Sequence, residues 1–336
     1  MNPAISPLRR FGWLLRRELW EHRIGLVWSP LIAAGVAVVL SGLALMMSTL
    51  AIKERHGVGA SDTSLSVQVN GINLGELIGQ LDAQQLAQLG GGLNLSLLAS
   101  ASWPLVVLAF VTFFYAAGAL YDDRKDRSIL FWKSLPVSDL ATVLSKAVTA
   151  LLVAPLLAIA ASMVSMLGFL GLVCLAVMWL GGDPVSLVLA PASPLAVAGT
   201  LIGAVPVYAL WALPTIGWLL LCSAVLPRVP FLLALLVPVL SGALLTATGL
   251  DSLAGIASGT LWGEGIARLI SGTIPGIHLA WQYAADRTDV LSQWMQQPSP
   301  MAAWDALAMT TTWVGAVAGA AMIILTVLVR RRSDDR

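Results

Sequence analysis

Residues Tyr121–Lys146, YDDRKDRSILFWKSLPVSDLATVLSK, sit between two long runs that contain no Asp, Glu, Lys or Arg. The first extends from Ala83 to Tyr121 and the second from Ala147 to Gly182. A charged, aromatic-containing loop between two such runs lies at a membrane surface, since each run is long enough to cross a bilayer. The whole composition agrees. Hydrophobic residues make up 58% and charged residues 11%, against about 45–50% and about 25% in ordinary globular chains. The chain reads as an integral membrane protein, and the loop as a docking element for a soluble partner.

Working outward, residues 8–23 form an amphipathic segment at helical spacing. Phe11, Leu14, Leu15, Glu18, Leu19 and His22 recur three and four apart, with Arg9, Arg10, Arg16, Arg17 and Arg23 spread between them. Trp13 and Trp20 favour the headgroup layer, so an interfacial helix is expected here. The arginines and glutamates break any signal-peptide core. Span 1 is expected over about 25–52, span 2 over 98–120, span 3 over 140–179, span 4 over 196–226, span 5 over 231–249 and span 6 over 306–329. Two excursions, 53–97 and 250–303, separate spans 1 from 2 and 5 from 6. In the first, LSVQVNG alternates like a short strand, and ELIGQLDAQQLAQLGG resembles a short helix ended by Gly90 and Gly91. In the second, GEGIARLISG and IHLAWQYAAD are amphipathic helix candidates, and its tryptophans read as interfacial anchors.

Ala147–Gly182 is 36 residues without charge, roughly 54 Å if helical throughout, against a hydrocarbon core of about 30 Å. It either protrudes as one helix or bends near Pro155, Gly168 or Gly171. Charge decides for one span. With six spans the side carrying both termini holds fifteen of the Lys and Arg residues and the other side four. That asymmetry places the termini and the Tyr121–Lys146 stretch in the cytoplasm.

No expected span carries an ionisable residue near its middle, which argues against an ion-coupled transporter. No HExxH, no catalytic Ser, His and Asp set and no GxxxxGK[ST] loop is present, so neither an enzyme nor a nucleotide-binding chain is expected. Cys174 and Cys222 lie in apolar runs as small hydrophobes, and His22, His56 and His278 read as surface or interface histidines. No metal, cofactor or nucleic acid is implied. Gly199–Gly203 and Gly315–Gly319 permit close helix contact, within the chain before between chains.

The order of these features resembles the permease subunit of the type-2 ABC exporters, over essentially the whole chain. The loop carries the most specific part: Asp123-Arg124, where Glu is more usual than Asp, then Arg127-Ser128-Ile129-Leu130, then Ser134-Leu135-Pro136-Val137-Ser138, then Lys146 entering span 3. The resemblance implies an all-α membrane protein with six transmembrane helices, an N-terminal interfacial helix and a cytoplasmic coupling helix between spans 2 and 3. It implies a bacterial cytoplasmic (inner) membrane location with both termini cytoplasmic.

The implied partners are two copies of a separately encoded cytoplasmic ATPase, a second permease copy in a homo- or heterodimer, and membrane lipid. Segment 128–135 would be the coupling helix. Ile129, Leu130, Phe131 and Trp132 form its apolar ridge, flanked by Arg124, Lys125, Arg127 and Lys133, and Pro136 ends it. The implied function is ATP-driven export of a hydrophobic or amphipathic substrate. The alternative is a non-transporting scaffold or sensor subunit that docks a cytoplasmic partner.

Overall fold

A computed structural model describes residues 6–55, 68–69, 72–73, 83–125, 138–226, 229–249, 258–277 and 304–332. Among them the secondary structure is helical apart from one two-residue antiparallel ladder, Gln68–Val69 against Ile72–Asn73, whose first strand lies inside the stretch where alternation predicts a strand. Among the described residues six helices are long and apolar enough to cross a membrane: Ile24–Ala51, Ala87–Lys125, Asp139–Trp179, Val185–Val225, Pro230–Thr248 and Thr310–Arg332. They are spans 1 to 6 below, and they make the chain a multi-pass membrane protein. An amphipathic helix, α1 (Pro7–Glu21), precedes span 1.

Span 1 packs on spans 2 and 3, and span 6 packs along span 4. The Val205–Val225 half of span 4 leans on span 2 and joins these groups through one core. Tyr115, Ala116 and Leu120 meet Val143, Ala147, Tyr208, Ala212, Ile216 and Val327 there. The many alanines let the backbones approach, which matters where lipid removes the hydrophobic drive between helices.

One boundary departs from expectation. Instead of a short helix ending at Gly90 and Gly91 and a span starting near Leu98, one helix runs from Ala83 to Lys125 through the glycines. Gly90 is there for contact and does not stop the helix. A Cβ on it would come within 2.7 Å of the Pro191 carbonyl oxygen, and one turn on, Asn94 Oδ1 accepts the Ser193 N–H at 2.9 Å. The helical part of span 4 starts at Pro194, close to expectation, after a separate π-turn Val185–Leu189, and it steps at Ala204 between helices Pro194–Gly203 and Val205–Val225.

Span 3 is continuous, and the region of Pro155 holds a local adjustment. A π-turn, Thr149–Val153, sits just before the proline. The wider turn accommodates the ring and the missing N–H without breaking the helix. A similar π-turn, Ile24–Trp28, precedes Pro30, where the Ser29 hydroxyl donates to Ile24 O at 3.0 Å.

A proline inside a span leaves the carbonyl four residues earlier without its helical donor, and at Pro104 and Pro238 a neighbouring span supplies one. Pro104 frees Ser100 O, which accepts the Ser165 hydroxyl at 2.9 Å. Pro238 frees Ala234 O, which accepts Trp218 Nε1–H at 2.8 Å. Ser165→Ala is therefore expected to destabilise the folded chain by about 1–3 kcal/mol, the cost of an orphaned buried carbonyl. Adding Pro104→Ala restores the helical N–H, and detergent thermal melts should show the double variant more stable than Ser165→Ala alone.

Candidate functional site

The helix ends on either side of the loop are built around buried charge. On α1, Glu18 occupies the apolar stripe read from the sequence, and the helix packs its stripe against the first turns of span 3. This takes the carboxylate inside, where it is 1% exposed. Lys146, on the third turn of span 3 and also 1% exposed, places Nζ 3.2 Å from Glu18 Oε1 and 3.3 Å from Asp123 Oδ2. Tyr115 Oη, from span 2, donates to Glu18 Oε2 at 2.9 Å. His22 stands edge-on to the Tyr115 ring at 4.9 Å, with Nε2 4.0 Å from the same carboxylate.

The cluster continues into span 6. Arg330 NH1 lies 4.0 Å from Asp123 Oδ2, and its Nε donates to Asp139 Oδ1 at 2.8 Å. Arg17 NH2 meets Glu18 Oε1 at 3.0 Å and Nε meets Glu21 at 3.3 Å. The carboxylates of Glu18, Asp123 and Asp139 are thus matched by Lys146, Arg330 and Arg17. Charge balance is what makes such burial tolerable. Desolvating each ion costs several kcal/mol, repaid only where the partners stay in place.

A second anchor sits beside the first. Arg124 NH2 donates to the carbonyls of Ser223 and Leu226, the latter at 3.0 Å, at the C-terminal end of span 4. Those carbonyls lack helical donors, so a guanidinium is a fitting cap. The Ser223 hydroxyl oxygen accepts from the N–H groups of Leu120 and Tyr121 at 3.0 and 2.9 Å. Ser138 caps the start of span 3, its Oγ accepting from Ala141 N at 3.2 Å.

Of the residues expected to dock a partner, Asp123 and Arg124 are described, and both point inward to partners within the chain. Arg127, Ser128, Ile129, Leu130, Phe131, Trp132, Lys133, Ser134, Leu135 and Pro136 lie outside the described residues. What the structure adds is the root of the loop. Lys125 and Ser138 bound it, and the residues just before and after them tie α1 and spans 2, 3, 4 and 6 together. Sequence reasoning missed Glu18, Tyr115 and Arg330 as members of one cluster. The available signal was a carboxylate on an apolar stripe.

Among the described residues the cluster is held by ion pairs and hydrogen bonds that run from α1 to spans 2, 3 and 6. Among the described residues no group of three His, Cys, Asp or Glu side chains converges as a metal site. Comparison with protein-family models, with curated proteins and with solved structures finds no match for this chain.

Proposed function

We propose that the chain is the permease subunit of an ATP-binding-cassette exporter, driven by a separate cytoplasmic ATPase that docks on segment 128–135. The observation that carries this reading is the joint at the root of the loop. A motor acting on a loop held only by flexible linkers would move the loop alone. Here the two ends of the loop are pinned by Asp123, Arg124 and Lys146 to α1 and to spans 2, 3, 4 and 6. A displacement of the loop is therefore passed to most of the bundle.

Two sequence features support the same reading. The apolar ridge Ile129-Leu130-Phe131-Trp132 between basic residues suits an acidic-rimmed groove on a partner, and the chain has no phosphate-cradling loop of its own. On this reading α1 lies along the inner membrane surface with both termini cytoplasmic, and the assembly contains two permeases and two ATPases. A charge-poor interior suits a hydrophobic or amphipathic cargo. The test is co-purification from membranes in mild detergent. An ATP-binding subunit should accompany the chain, with ATP hydrolysis that responds to cargo. If no ATPase is retained under any nucleotide condition, the reading fails.

A further inference from the structure

At the end of span 6 opposite Arg330, a second buried charge stands in a different setting. Helix 258–271 packs against spans 4 and 5 and carries Arg268, which is 4% exposed and reaches the start of span 6 with its side chain. The sequence counts this arginine among the external charges of the second excursion; the fold takes it inside. Its guanidinium stacks 4.1 Å from the Trp211 ring and lies against the Cα of Gly315, where any side chain would collide with it. It donates to the carbonyls of Trp211, Thr311 and Thr312.

Three of these four contacts are 3.4–3.5 Å long, at the outer limit of a hydrogen bond. Among the described residues no carboxylate pairs with Arg268. Glu264, one turn earlier, is exposed and forms no ion pair with it, the intervening π-turn Leu261–Ala267 having changed the helical register. Burial pulls the guanidinium pKa down to about 10, with Glu264 opposing, so the group stays cationic at neutral pH. It holds a full charge in a low-dielectric setting with one short and three long contacts to neutral carbonyls, an arrangement that favours an anionic partner.

The space for that partner is beside it. A cavity of about 410 Å³ is lined by Arg268 and Glu264 at one end. Val314, Ala318 and Met322 line it along span 6, four residues apart. Eight residues of helix give an apolar stripe of about 12 Å. Such a volume lies within the range of small-ligand sites. We propose that this groove binds a single-chain, fatty-acid-like carboxylate, its head on Arg268 and its chain along Val314, Ala318 and Met322. A carboxylate can accept two guanidinium N–H bonds at once and so outcompetes the long carbonyl contacts. The site stands apart from the ATPase reading, because binding needs neither nucleotide nor transport.

The test uses the purified full chain in non-ionic detergent, with laurate, dodecanol and dodecyltrimethylammonium as probes of matched length. Tryptophan fluorescence and thermal melts report binding. Laurate should bind saturably and at least about tenfold more tightly than dodecanol, as a charge-assisted hydrogen bond requires; the cation should not bind. Arg268→Gln should bring laurate down to the dodecanol level, and Ala318→Trp, which fills the groove, should remove both. Glu264→Gln relieves repulsion of the head and should tighten laurate. Equal affinity for laurate and dodecanol in the parent, or unchanged laurate binding in Arg268→Gln, overturns the proposal. If Arg268→Gln fails to fold, Glu264→Gln decides: unchanged or weaker laurate binding rejects the site.

Discussion

Lys146→Met is expected to destabilise the folded chain by about 3–5 kcal/mol, the cost of leaving buried charge without its partner. Lys146 Nζ stands between Glu18 and Asp123, at 3.2 and 3.3 Å, and both carboxylates are buried. Methionine matches the volume of the lysine stem, so the loss is electrostatic and not a cavity effect. Arg330 remains 4.0 Å from Asp123 and covers part of its charge. Glu18 keeps Tyr115 and Arg17, whose guanidinium is more exposed, so both carboxylates share the penalty.

Adding Glu18→Gln to Lys146→Met should recover part of the loss, since the double variant removes one charge of each sign. The coupling energy from the four-variant cycle should exceed about 1 kcal/mol. Lys125→Met, at an exposed position on the same side of the bundle, should change stability by no more than about 0.5 kcal/mol. Detergent thermal melts and size-exclusion profiles measure all four. A Lys146→Met variant as stable as the parent would remove the joint from the account.

The second large effect belongs to the seam between spans 4 and 6. A Cβ on Gly319 would come within 2.5–2.6 Å of the Leu213 carbonyl group and of Pro214 N, and one on Gly217 within 2.6 Å of Gly319 O. These are backbone atoms, which do not rotate aside. Pro214 contributes to the approach, because it carries no N–H on the face that Gly319 meets. Gly319→Leu should therefore cost at least the about 1–3 kcal/mol of core overpacking, seen as loss of the monodisperse folded species. Gly199→Leu is the control. Its position is exposed with no atom near the added side chain, so stability should hold. The small-residue pair Gly315–Gly319 thus serves contacts within the chain: Gly319 seats span 4, and Gly315 seats the Arg268 guanidinium.

Much of this architecture is legible in the sequence for a simple reason. Charge is so costly in hydrocarbon that its absence marks the spans. Ala83–Tyr121 is charge-free from its first residue, and that signal was the better guide to span 2 than the glycines, which mimic a helix stop while serving close approach. Span 3 behaves likewise: its charge-free run forms one helix as far as Trp179, with a π-turn at the proline.

The joint is far less legible. Glu18 and Lys146 are 128 residues apart, and no local pattern states which buried carboxylate meets which cation. The one trace is Glu18 standing where the stripe calls for a hydrophobe. Arg268 shows the same limit from the other side. Its neighbours in sequence look like a surface segment, and only the packing of helix 258–271 on spans 4 and 5 takes it inside.

The central claim is that segment 128–135 couples this chain to an ATPase, and the direct measurement is ATPase retention and stimulation in the Phe131→Asp/Trp132→Asp double variant. The substitutions replace the centre of the apolar ridge with two negative charges. They leave the joint at Asp123, Arg124, Lys146 and Arg330 intact, so the chain should insert, fold and melt as the parent does. The account predicts that this folded variant loses the co-purifying ATPase and all cargo-dependent change in ATP hydrolysis. Full ATPase retention with undiminished stimulation in the same preparation would contradict it.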